Sequence, residues 1–340
     1  MEQGVPDPIA EQARSVVADL GVSENVRLAE SLVSEAIGLV GDHPDTLDLK
    51  IATAALTEMR AAYRVFAPYK QERKVSIFGS ARTRPDDPLY AQARDLAALL
   101  AERGWMTVTG AGPGIMQAGM EGAGRERSIG VSIRLPFESG ANDIIAGDDK
   151  HVSMKYFFTR KLMLIKESQA FVCLPGGFGT LDETFELLTL VQTGKSLPVP
   201  IVLLDAPGDP YWEQVEEVVR DQLIKRRLVS PDDTGLYTIT ASCDEASKVI
   251  EHFYSNYHSI RFVGDRLVIR MHRGPDDAQL GELNDRFAHL IASGTIVRTD
   301  PLRAERRDDD HLGLDRVALD FNKRGYGDLI ALITVLNSWN

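Results

Sequence analysis

The sequence predicts an α/β protein: a doubly wound parallel sheet, with a helical extension before it and a small α+β unit after it. Three observations carry this. Between residues 73 and 255, short apolar runs alternate with stretches of helical period. Three of those apolar runs end in glycine-containing turns that lead toward a helix. Beyond residue 255 the order changes to paired strands and single helices.

Residues 1–72 form the helical extension. Leu28, Leu32, Ala36, Leu39 and Val40 follow a helical spacing that His43-Pro44 breaks. A further helix spans Thr46–Phe66, with Leu49, Ala52, Leu56, Met59 and Tyr63 on one stripe. These stripes carry no evident chemistry and are expected to cover the sheet or a partner subunit.

Residues 73–255 hold the sheet. The strand candidates are Val75–Phe78, Met106–Thr109, Ile129–Ile133, Ala170–Leu174 and Val199–Leu204. The helix candidates are Leu89–Arg103, Gly114–Arg125, Phe157–Glu167, Leu181–Thr193 and Pro210–Lys225. Parallel sheets bind ligands beyond the carboxyl ends of their strands. Residues 256–340 are the α+β unit. A hairpin joins Ser259–Val263 to Arg266–Met271 through Gly264-Asp265. A helix at Asp277–Ala292, strands at Thr295–Arg298 and Arg316–Phe321, and a helix at Gly327–Ser338 follow. Asp308-Asp309-Asp310 is expected to be a solvated loop.

The net charge of −12 argues against general nucleic-acid binding, which needs a basic footprint. A local pocket can still be positive and hold a phosphate. Cys173 lies in an apolar run and Cys243 is far from it in sequence, so no disulfide framework is expected. The acidic start lacks the blocks of a signal peptide, and no apolar run approaches the ~20 residues of a membrane span. The expected location is the cytoplasm.

The strongest local signal is Pro175-Gly176-Gly177-Phe178-Gly179-Thr180-Leu181-Asp182-Glu183, between a strand and a helix. Glycines there let a phosphate approach the backbone amides, and a helix start adds unpaired N–H groups. Thr180 can cap the helix or donate to an anion, and Glu183 falls on the first turn. The plain structural alternative is a tight turn in which Thr180 and Glu183 form a capping box. A second loop, Thr109-Gly110-Ala111-Gly112-Pro113-Gly114-Ile115-Met116, has the wrong spacing for a dinucleotide fingerprint, so NAD is a weak reading. A third strand tip is Phe78-Gly79-Ser80-Ala81-Arg82. Three such loops on one sheet edge predict a concave pocket rich in amides. Arg160-Lys161, on the preceding helix, is most simply a solvated pair. Placed at the sheet edge, Arg160 reaches a phosphate, a ribose or Glu183.

Taken together, the loop at 79–80, Gly-Ala-Gly-Pro-Gly-Ile-Met at 110–116, Arg160-Lys161 and Pro-Gly-Gly-Phe-Gly-Thr-Leu-Asp-Glu at 175–183 resemble the LOG (Lonely Guy) family. These are cytokinin-activating phosphoribohydrolases and related nucleotide 5′-monophosphate nucleosidases, once labelled lysine decarboxylases. The resemblance covers about residues 73–250. It implies a Rossmann-like fold and hydrolysis of a nucleoside 5′-monophosphate to free base and ribose 5-phosphate. It implies no metal and no redox cofactor, and a homodimer or larger homo-oligomer with the site near the interface. The family's catalytic pair falls on Arg160 and Glu183. The expected nucleotide-binding residues are Gly79, Ser80, Gly112, Gly114, Met154, Lys161, Gly176, Gly177, Gly179 and Thr180. This chain departs from plant-type members at Tyr156-Phe157-Phe158, where they are more polar, so AMP is as good a candidate as a cytokinin nucleotide. Nothing marks a pyridoxal-phosphate lysine. The rival reading is a non-catalytic nucleotide or molybdenum-cofactor carrier, which would not require the Arg160 and Glu183 pair.

Overall fold

A computed structural model describes residues 8–135 and 140–339. The chain divides into two compact units, residues 1–60 and 61–340. The first holds helices α1 (Pro8–Asp19) and α2 (Val26–Gly41) and the beginning of α3 (Thr46–Phe66), the last matching the predicted bounds. Ala13 and Val17 on α1 are buried. The predicted stripe Leu28, Leu32, Leu39 and Val40 on α2 stays exposed.

In the second unit a seven-stranded, all-parallel sheet is built as the alternation predicts. Its elements are β1 (Lys74–Phe78), α4 (Pro88–Glu102), β2 (Met106–Thr109), α5 (Ile115–Ala123), β3 (Ser128–Ile133), β4 (His151–Met154), α6 (Phe157–Lys166), β5 (Ala170–Cys173), α7 (Phe178–Gln192), β6 (Ile201–Leu204), α8 (Tyr211–Val218), β7 (Thr238–Thr240) and α9 (Cys243–Phe253). The strand order is β4-β3-β2-β1-β5-β6-β7. The chain winds outward from β1 to β4, returns to lay β5 against β1, and winds outward again. The order therefore reverses between β1 and β5, and a crevice opens beyond their carboxyl ends. Residues of β1, β2, β5 and β6 are all buried, as expected of strands covered on both faces.

Three elements of this region escaped the sequence reading. β4 and β7 are short, half-polar edge strands, so no apolar run announces them. The start of α9 is set by Ser242, whose Oγ accepts from the amide of Glu245. The predicted helix at 210–225 is α-helical only to Val218, and a π-type turn covers Val219–Ile224.

The remainder is β8 (Tyr257–Val263), β9 (Arg266–Met271), α10 (Asp277–Phe287), β10 (Ile291–Arg298), α11 (Arg303–Arg307), β11 (Asp315–Phe321) and α12 (Tyr326–Asn337). The helix predicted to reach Ala292 stops at Phe287, because Ile291 already pairs with Phe321 in the sheet. The four strands form an antiparallel sheet ordered β10-β11-β9-β8. Leu267, Ile269, Met271, Val317, Leu319 and Phe321 alternate onto one face and pack with Leu329, Leu332, Ile333 and Leu336 of α12. α12 also meets the end of α7. Gly194 has φ +67°, and a Cβ there would run into the Tyr326 ring.

The opposite face of this sheet corrects the expectation for 308–310 in part, since Asp308 and Asp309 are exposed as in a solvated loop but Asp310 is half-buried against arginines. Arg270 and Arg316 are buried there beside Glu305 of α11, which is fully buried. Arg270 donates from Nε and Nη2 to Glu305 Oε1 at 2.9 and 2.8 Å, and Arg316 Nε lies 3.8 Å from the same oxygen. Asp310 takes Arg270 Nη1 at 3.1 Å and also pairs with Arg261, which reaches Asp308 as well. Burial works against the Asp310 charge, but hydrogen bonds from Arg261 and Arg270 hold its carboxyl below the usual range. The acidic run is thus a latch on a row of strand arginines. Among the described residues no helix is long and apolar enough to cross a membrane.

Removing the central carboxylate tests the latch. Glu305→Ala leaves two buried guanidinium groups without their shared counter-charge. It should lower unfolding stability by about 3–5 kcal/mol in urea denaturation.

Candidate active site

The crevice at the strand reversal is a cavity of about 810 Å³. Each of its walls is a strand tip whose local sequence dictates close packing. At the β1 tip, a Cβ on Gly79 would come within 2.5 Å of Ile115, so only glycine lets α5 start there. The Ser80 carbonyl accepts from the amide of Ile115 at 3.0 Å, and Ser80 Oγ accepts from the Arg82 amide at 3.1 Å. At the β2 tip, Gly114 has φ +66° and presses on the Ser80 carbonyl, which clamps this loop to the first. Asn142 holds the same loop, donating from Nδ2 to the Gly112 carbonyl at 3.0 Å.

The β5 tip carries the Pro-Gly-Gly-Phe-Gly-Thr loop. Gly176 lies against Thr180, and its carbonyl accepts from the Tyr211 hydroxyl at 2.7 Å. α7 begins at Phe178 with Gly177 as its N-cap and no side-chain cap. This changes two expectations. Thr180 is the third helical residue and does not cap, and Glu183 lies on the second turn rather than the first. No capping box forms, so the first amides of α7 are left to other partners at the cavity. The positive end of the helix dipole faces the same space.

Arg160 and Glu183 meet at this cavity. Arg160 Nη1 is 3.9 Å from Glu183 Oε1, and both side chains are nearly buried, at 11 and 12 % exposure. Arg160 Nε donates to the Val131 carbonyl of β3 at 3.1 Å. A Cβ on Gly110 would collide with the Arg160 guanidinium, so the bare backbone of β2's tip is what gives that group its place. Burial pushes the Glu183 carboxyl above its ordinary value, although Arg160 and Lys161 pull the other way.

Of the residues singled out in the sequence, Gly79, Ser80, Gly112, Arg160, Gly176, Gly177, Gly179, Thr180 and Glu183 line the cavity. Gly114, Met154 and Lys161 are not among its lining residues. Gly114 shapes a turn, and Met154 is fully buried in β4. Lys161 pairs with Asp182 at 2.6 Å and Glu186 at 2.8 Å, tying α6 to α7. Burial lowers its basicity, yet those two carboxylates outweigh burial and hold it protonated. Gly110, Met116 and Phe157, quoted within motifs but given no binding role, also line the cavity, as do Ser132, Ile133 and Leu135, to which the sequence reading gave no part in a site. Ser132 carried a signal: it is a polar residue inside the apolar run at the carboxyl end of a parallel strand.

The chain is similar to known proteins over the region that holds this cavity. Residues 112–253 match the family model described as "Possible lysine decarboxylase". Over 173 residues the chain is 31 % identical to the probable cytokinin riboside 5′-monophosphate phosphoribohydrolase LOGL3 of Oryza sativa subsp. japonica, covering 49 % of this chain and 77 % of that protein. The chain belongs to the LOG family. Another LOG relative is cytokinin riboside 5′-monophosphate phosphoribohydrolase LOG1 of Arabidopsis thaliana. It is 30 % identical over 101 residues, covering 30 % of this chain and 46 % of that one. Among solved structures, the molybdenum cofactor binding protein of Rippkaea orientalis aligns over 53 % of this chain and 96 % of its own, at 19 % identity and a TM-score of 0.36. The molybdenum cofactor carrier protein of Chlamydomonas reinhardtii aligns likewise, at 20 % identity and a TM-score of 0.37. The LOG family match falls on the unit that holds the seven-stranded sheet.

The electrostatics of the Arg160–Glu183 pair are directly measurable. A carbon-13 titration of the carboxyl groups should place Glu183 above the ordinary glutamate range. Arg160→Met should raise it further, because the guanidinium opposes burial.

Proposed function

We propose that the protein hydrolyses the N-glycosidic bond of a nucleoside 5′-monophosphate, with AMP or a cytokinin riboside monophosphate as substrate, releasing the base and ribose 5-phosphate. The observation that carries this reading is the buried Arg160–Glu183 pair, 3.9 Å apart, in one cavity with three amide-rich strand tips. The amides of the 176–180 loop and the start of α7 suit the phosphate, with Ser80 and Gly112 beside them. Names of LOG relatives, which act on cytokinin riboside 5′-monophosphates, support the substrate class.

In this mechanism the bond between ribose and base stretches and positive charge grows at the anomeric carbon. Glu183 stabilises that charge and orients or deprotonates the attacking water. Burial raises its pKa, which strengthens it as a base toward that water. Arg160 orients the sugar or the base and opposes the effect of burial on Glu183. Lys161, held protonated between two carboxylates, acts as a strut between helices; a nucleophilic or Schiff-base lysine needs the opposite shift. Residues 73–255 are the catalytic unit in this reading. The exposed Phe158, Leu162 and Phe185 on α6 and α7 provide an apolar face for a second copy of the chain.

Two substitutions test the reading. Glu183→Gln should abolish release of free base from AMP while leaving AMP binding largely intact, read by chromatography and calorimetry. Equal turnover would overturn the assignment, and binding without turnover in the unsubstituted protein would favour a carrier. A Cβ from Gly110→Ala presses on side-chain atoms, the Arg160 guanidinium and Met116 Sδ, and on no backbone, so the protein should fold. It should nevertheless lose about a hundredfold in kcat/KM through a misplaced Arg160.

A further inference from the structure

β3 contributes one polar side chain of its own to the cavity wall. Ser132 lines the cavity at the tip of β3, among Met116, Ile133, Leu135 and Phe157. Its hydroxyl is nearly buried and sits 2.8 Å from His151 Nε2 on β4. Gly130 makes room for this pair. It lies opposite His151 in the strand register, and a Cβ there would press on the imidazole at 3.2 Å.

Position along the sheet gives the pair its meaning. Neighbouring strands are about 4.8 Å apart, so the tip of β3 lies roughly 10 Å from the tip of β1. A nucleotide whose phosphate rests on the β1 and β5 loops, with its sugar at Arg160 and Glu183, extends its base toward β3. Apolar side chains suit the faces of a flat heterocycle, and its polar edge then needs one hydrogen-bonding partner. We propose that Ser132 is that partner, contacting the polar edge of the base, and that His151 is a positioning residue that fixes the Ser132 hydroxyl. The proposal rests on the nucleotide reading of the same cavity.

A hydroxyl has one proton and two acceptor sites, so the bond to His151 takes one of the three and decides whether the proton is still free for the ligand. If the ring accepts, Ser132 offers its oxygen to an amino group; if the ring donates, Ser132 offers its proton to an oxo group or a ring nitrogen. Burial pulls the His151 pKa down, which keeps the ring neutral and both arrangements open. The chemical class recognised is a base with an amidine or amide edge.

The test separates base from phosphate. In a Glu183→Gln background, calorimetry measures AMP, which has a base, and ribose 5-phosphate, which has none. Ser132→Ala should weaken AMP about tenfold, the value of one hydrogen bond, and leave ribose 5-phosphate unchanged. His151→Leu should do the same, and His151→Gln, which restores a polar group near Nε2, should recover most of the loss. Equal weakening of both ligands, or of neither, would overturn the role of Ser132 while the hydrolase reading stands. If the unsubstituted protein neither binds AMP nor releases its base, the parent reading fails and takes this one with it.

Discussion

The Arg160 guanidinium sits where three elements converge, and each is shaped to leave it there. β2 ends in Gly110, whose missing side chain opens the space. β3 turns the Val131 carbonyl toward Nε, fixing the plane of the group. α7 brings Glu183 within 3.9 Å as the counter-charge. A guanidinium this buried is tolerable only with such partners. Its placement sets the environment of Glu183 and hence the chemistry open to the cavity. The clamped loops at Ser80, Gly114 and Gly176 form the rest of the wall, and their close approaches need glycine at set positions.

Much of this was legible beforehand, for physical reasons. Parallel strands covered on both faces are mostly apolar or β-branched, so Ala170–Cys173 announced itself by its apolar run and Met106–Thr109 by Met106, Val108 and two threonines. Edge strands need not be, and β4 and β7 went unseen. Glycine loops are conspicuous because only glycine fits them. The role of Lys161 was not legible from its place beside Arg160. Successive residues on a helix point about 100° apart, so one of the pair faces the cavity while the other faces α7. Ser132 was hidden for the converse reason, since a single hydroxyl in an apolar run reads as strand filler. The cap at Thr180 failed because the helix starts at Phe178, three residues before the expected Leu181.

The antiparallel unit shows the same economy with charge. On an acidic chain, its inner sheet face carries Arg261, Arg270 and Arg316, and the 305–310 segment supplies Glu305, Asp308 and Asp310 against them. Burial of such groups makes sense only as a matched set. The acidic run and the arginines of β8 and β9, more than thirty residues apart in sequence, therefore constrain one another.

The contact between Gly194 and Tyr326 joins these two halves mechanically. α7 is a stiff rod of fifteen residues, about 22 Å long, with Glu183 near one end and the Gly194 turn just past the other. A bulkier residue at 194 would tilt that rod about its distal bearing. The tail following residue 256 is therefore part of the alignment of the crevice, although it contributes no atom to its walls.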